Sequence, residues 1–111
     1  VDKLTFYRSC VRELVKSYED QIPINGEIEV HLIEDLARDR YQVCNIGWID
    51  KARVHGCKLH IDIKDEKIWI QQNLTEDMVA SELVEKGVPK HDIVLGFQSL
   101  FKRQFTDYAV N

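Results

Sequence analysis

The stretch Val54–Gln72, VHGCKLHIDIKDEKIWIQQ, constrains the fold more tightly than any other part of the chain. Leu59, Ile61 and Ile63 alternate with Lys58, His60, Asp62 and Lys64, the period of two that marks a strand with one buried face. After Asp65-Glu66 the alternation resumes, with Ile68 and Ile70 directed inward and Lys67, Trp69 and Gln71 outward. Two strands and a tight turn satisfy the pattern. A ribbon of this kind buries its apolar face and leaves the polar one open. The buried face accounts for folding; the open face is where function is to be sought.

The remaining segments supply what covers the ribbon. Leu4, Tyr7, Val11, Leu14, Val15 and Tyr18 recur at helical spacing, predicting a helix from residue 2 to about residue 19, with Asp2 as its N-cap. Phe6 and Cys10 broaden the apolar stripe, as suits a helix lying across a sheet. Pro23 and Asn25-Gly26 end it and turn the chain. Ile28, Val30 and Leu32 alternate with Glu27, Glu29 and His31 in a first strand. Arg40–Trp48 forms a second, with Cys44, Ile46 and Trp48 on one side and Tyr41, Val43 and Asn45 on the other. Apolar groups on both sides make this strand central or partly covered on its outer face. In the third strand Cys57 is in phase with the core set only if Arg53 and His55 also point inward, and a bulge near Gly56 would remove that conflict.

Thr75 is placed to cap a further helix with Met78, Val79 and Leu83, together with Val84, on its buried side. Gly87-Val88-Pro89 is a strong helix stop. Ile93–Phe97 fits a buried segment or an edge strand equally, and Ser99–Asn111 shows no clean period. The expectation is an α+β fold occupying residues 1–111 as a single domain. It comprises an N-terminal helix, a four-stranded antiparallel meander sheet, a C-terminal helix and an irregular tail.

Charge narrows the function classes. Nineteen acidic residues against fifteen Lys plus Arg give a net charge of −4, the wrong sign for a surface that binds phosphate everywhere. Arg38, Arg40, Arg53, Lys102 and Arg103 are the candidates for local nucleic-acid contact, but Asp35, Asp39 and Asp50 interleave with the first three and weaken their field. The three cysteines include no CxxC pair and read as reduced thiols packed as small hydrophobes. No apolar run approaches the roughly 20 residues needed to cross a bilayer, and no signal-peptide pattern is present. The start at Val1 without Met suits a processed or trimmed chain. A cytoplasmic protein without membrane association is expected.

His55, Cys57, His60 and Asp62 invite a metal assignment, yet strand parity sends Cys57 and His60 to opposite faces and no second Cys/His pair completes a tetrahedral set. His60 and Asp62, beside Lys67, Trp69 and Tyr41 on neighbouring strands, suggest an acid–base cluster, but no activated nucleophile or phosphate-binding loop accompanies them. No cofactor is implied. Tyr41, His60, Asp62, Lys67, Trp69 and Gln71 instead make up a candidate partner-binding face. Outward Trp69 calls for a cover: the tail through Phe101, Phe105 or Tyr108, or a second subunit in a homodimer.

The ordered set RDRY (Arg38–Tyr41), GW (Gly47-Trp48), RVHGCKLHIDIKDEKIWIQQ (Arg53–Gln72), VEKGVPKHDIVLGF (Val84–Phe97) and FTDYAV (Phe105–Val110) resembles the XisI-like family, the fdxN-element excision controlling factors of filamentous cyanobacteria. The resemblance implies a compact α+β domain. It also implies a part in controlling excision of a DNA element during heterocyst differentiation, alongside a site-specific recombinase and a companion excision factor. It carries over no catalytic residue. Asp65-Glu66 departs from the Asp-Gly turn of many relatives, and Leu100 stands where proline is expected. Three functions follow: a non-enzymatic accessory factor acting through protein contacts, a direct DNA-binding protein, and a small enzyme using His60 and Asp62.

Overall fold

The computed structural model describes residues 2–24 and 26–111. Helix α1 (Lys3–Lys16) opens as the sequence requires, with the Asp2 carboxylate accepting from Thr5 N at 3.3 Å. Single turns carry the chain on from its end to Asp20. Four antiparallel strands follow: β1 (Glu27–Asp35), β2 (Arg40–Ile49), β3 (Ala52–Lys64) and β4 (Lys67–Asn73). Helix α2 (Val79–Glu85) and a 3₁₀ turn at Lys90–Asp92 lead to a short β5 (Ile93–Leu95), and α3 (Leu100–Arg103) sits in the tail. The sheet order is β1-β2-β3-β4-β5.

The fifth strand modifies the expected meander. Ile93–Leu95 pairs in parallel with Ile68–Ile70 of β4, a pairing that needs a crossover, and α2 supplies it. Gly87 ends α2 at φ 110°, its N–H and that of Val88 returning to Val84 O and Leu83 O, both at 3.0 Å. Beyond β5 the tail returns, and Ala109 N donates to Ile93 O at 2.8 Å, covering that edge of the sheet.

Helix α1 lies across the inner face. Tyr7, Cys10, Val11, Leu14, Val15 and Tyr18 pack on Tyr41, Val43, Leu59, Ile61, Ile68 and Ile70, with Val79, Leu83, Val88 and Ile93 closing one flank. Burying a large apolar side chain contributes about 1.5–3 kcal/mol, so this layer accounts for most of the folding drive. Polar ties hold the helix in register. Asp92, the buried charged residue of the core region, accepts from Tyr7 Oη and pairs with Lys3 Nζ at 2.9 Å. Arg8 grips Asp39 with Nε at 2.8 Å and Nη2 at 3.0 Å, and Asp39 also accepts from Tyr41 Oη at 3.1 Å. The RDRY segment is thus largely a brace between the β1–β2 turn and α1.

Two expectations for the second helix are corrected. Thr75 lies in a turn ahead of α2, where its Oγ1 accepts from Asp77 N at 3.2 Å, and Met78 at the N-cap position is 74% exposed. The Asn73 side chain captures Thr75 N at 2.9 Å, and this local bond delays the helix by one turn.

Two bulges set which side chains face outward. The β2–β3 register shifts between Val43 and Cys44, leaving Lys58 as the extra residue between Cys57 and Leu59. The conflict foreseen at Gly56 is therefore resolved two residues later. Cys57 joins Arg53 and His55 on the outer face instead of the core. A second shift between His60 and Ile61 leaves Gln71 extra on β4.

Candidate partner-binding face

The outer face carries, in cross-strand rows, Asp35, Arg40 and Asp62; Ile33, Gln42 and His60; His31, Cys44 and Cys57; Glu29, Ile46 and His55; and Glu27, Trp48 and Arg53. Among the described residues no helix covers these rows. Within them His60 Nε2 lies 2.8 Å from Asp62 Oδ1, and Gln71 Nε2 donates to Asp62 Oδ2 at 3.1 Å. The carboxylate is held from two sides and fixes the imidazole. A buttressed imidazole is half of an acid–base relay. The Cys57 thiol on the same face is pushed above its ordinary pKa by burial, and its Sγ lies 3.1 Å from Leu59 O, so it is protonated at neutral pH.

The six residues expected on this face divide. His60, Asp62 and Gln71 stand together on it as one network. Tyr41 is corrected: it pairs with Ile61, lies fully buried beneath α1, and has its pKa raised to about 12 by burial and by its bond to Asp39. With apolar residues on both sides of β2, alternation alone could not say which side was the core. Lys67 donates to Asn111 O at 2.7 Å and is tied to the tail.

Trp69 is covered, though by a different group from the aromatic residues expected. Lys64 Nζ stands 4.1 Å from the ring centroid and Arg103 Cζ 5.4 Å from it. The Arg103 guanidinium in turn donates to Gln98 O at 3.0 Å and Val110 O at 3.1 Å, fastening both limbs of the tail. Gly96 makes the approach feasible, since a Cβ there would lie 2.6 Å from Gln71 Oε1 and 3.3 Å from the Trp69 ring. Phe101 and Phe105 stack edge to face at 5.2 Å and remain exposed, while Tyr108 packs on the core side beside Ile70 and Val79.

The basic candidates do not converge. Arg38 pairs with Asp35 at 3.0 Å, Arg53 stacks 5.3 Å from Trp48, Lys102 is exposed on α3 and Arg103 is committed to Trp69. Arg40 and Arg53 stand at opposite ends of the β2–β3 ladder, roughly 25 Å apart at the rise of a strand. Strand parity does not separate the candidate metal ligands as expected, because the bulge at Lys58 puts Cys57, His60 and Asp62 on one face. Among the described residues no group of three or more His, Cys, Asp or Glu side chains is disposed to hold a metal ion. No helix among the described residues is long and apolar enough to cross a membrane.

The sequence reading missed two exposed apolar members of the face. Ile33 and Trp48 are 48% and 47% exposed, with Ile46 half-buried between them and Ile49 at the strand end. The Cys44-Ile46-Trp48 alternation was the available signal, and only the burial of Tyr41 and Val43 shows that this side faces out.

A helix-backed sheet with a partly apolar, solvent-facing outer face defines a small α+β module. The sequence profile of the XisI protein family matches residues 1–110, and the chain belongs to that family. The crystal structure of a XisI-like protein from Anabaena variabilis ATCC 29413 superposes with a TM-score of 0.90 at 45% identity, covering 99% of this chain and 100% of that one. The fdxN element excision controlling factor XisI from the same organism superposes with a TM-score of 0.87 at 36% identity, with 99% and 100% coverage. A comparison with curated protein sequences finds no match.

Proposed function

We propose that this protein is a non-enzymatic accessory factor in the excision of a DNA element. It works through protein contacts made by the outer face of β1–β3. The observation that carries the reading is full-length likeness to an excision controlling factor. The open rows around Ile33, Ile46 and Trp48 support a protein partner, because half-exposed aliphatic and aromatic groups on a rigid sheet are the usual anchors of an interface. The scattered and internally paired arginines weigh against bare DNA as the principal ligand. The partners that fit are the companion excision factor and the site-specific recombinase, and a second copy of the chain competes for the same face.

The test is co-purification of the tagged chain with both factors from its native host, repeated with Ile33→Asp and Trp48→Asp. Each substitution is expected to reduce recovery of the partner at least tenfold while leaving the circular dichroism spectrum unchanged. Retention of the partner by both folded variants removes this face from consideration. Failure of the wild-type chain to recover either factor removes the accessory role.

A further inference from the structure

Cys44 on β2, buried, and Cys57 on β3, half-buried, are direct cross-strand partners on the outer side of the sheet. We propose that they form a dithiol which is converted to an intramolecular disulfide by a low-molecular-weight disulfide such as oxidised glutathione. Directly opposed residues of an antiparallel pair hold their Cβ atoms about 4.5–5.5 Å apart, just outside the spacing of roughly 3.5–4.5 Å that a disulfide spans. The bulge at Lys58 adjoins Cys57 and supplies the slack for that closing movement, since the extra residue lets the strand bend locally. The Cys44 thiol is near enough to add to the upward pKa shift that burial imposes on Cys57. Cys10, the third thiol, is sealed on the buried face of α1 among core residues and has no such neighbour.

The chemistry balances in two exchanges. Cys57, the more exposed of the pair, loses its proton and attacks one sulfur of the glutathione disulfide. A bond forms between Cys57 and one glutathione, and the other glutathione leaves as a thiolate. Cys44, deprotonated, then attacks the Cys57 sulfur and expels the second glutathione thiolate. The protein thiols give up two electrons and two protons, and both glutathiones end as thiols. The second exchange is intramolecular and outruns the first. The product staples β2 to β3 in the row that contains His31, midway along the outer face. This inference does not depend on any partner binding there.

The experiment treats the full folded chain with oxidised glutathione and follows it by intact mass, thiol titration and peptide mapping. The native chain is expected to lose two hydrogens, carry no glutathione and yield a peptide linking Cys44 to Cys57. Cys10→Ser is expected to behave identically, whereas Cys44→Ser retains one glutathione on Cys57. A native chain that stops at the mixed disulfide, remains unmodified until denatured, or cross-links between molecules overturns the proposal.

Discussion

The buried Asp92 cluster offers a sharp test of how α1 is held. Asp92 is 5% exposed, and its carboxylate accepts from Tyr7 Oη and from Lys3 Nζ at 2.9 Å. Burial alone would raise its pKa, yet the bonds from Tyr7 and Lys3 outweigh that and hold it below the usual carboxylate range. The Tyr7 hydroxyl is held protonated, first by burial and then by Asp92, so it remains a donor. Tyr7→Phe removes one charge-assisted bond and is expected to cost about 2 kcal/mol. Asp92→Ala also strands the buried hydroxyl and is expected to cost about 3 kcal/mol, whereas the double variant strands no hydroxyl and costs about 2 kcal/mol. The cycle therefore predicts a coupling of about 3 kcal/mol. Because the folded pKa lies below the unfolded value of about 3.9, this stabilisation is present above that pH and is lost as pH falls through the folded pKa. Urea denaturation followed by circular dichroism, at neutral pH and in acid, measures both effects. Additive single costs, or a wild-type advantage over Asp92→Asn that persists undiminished in strong acid, would refute the reasoning.

Other perturbations probe the turn, the register and the tail. Asp65 and Glu66 occupy the β3–β4 turn at φ 53° and 61°, the left-handed region where non-glycine residues are strained, so Glu66→Gly is expected to stabilise by about 1 kcal/mol. A lowered urea midpoint would contradict this. A Cβ at Gly47 would lie 1.9 Å from Glu27 O, and Gly47→Ala is expected to cost about 3 kcal/mol and to release β1 amides first in hydrogen exchange. Unchanged β1 protection would mean that this close strand approach is absent. Arg103→Ala is expected to cost about 1 kcal/mol and to make Gly96–Asn111 cleavable under conditions where the wild type resists. An identical proteolysis pattern would show that the tail is held otherwise.

Much of this architecture is written in local pattern. The alternation in Leu59–Ile63 and Ile68–Ile70 specifies two strands and their buried face, because a one-residue slip would expose every isoleucine. The stripe from Leu4 to Tyr18 specifies the covering helix, and Gly87 with Pro89 specifies where α2 ends. Each signal acts within a few residues of chain, at the range where backbone sterics and side-chain period operate.

Tertiary packing decided the rest. The side of β2 that belongs inside was undetermined by a strand with Tyr41 and Val43 on one face and Cys44, Ile46 and Trp48 on the other. Helix α1 chose it by covering Tyr41. The bulge at Lys58 reversed the facing of Cys57 and created the Cys44–Cys57 neighbour pair, an outcome of strand register that sequence period does not encode. The placement of Arg103 over Trp69, with Phe101 and Phe105 left outside, depends on where the tail returns along β5. Period identifies which residues share a face, but only contact between distant segments determines which face is covered and what remains available to bind.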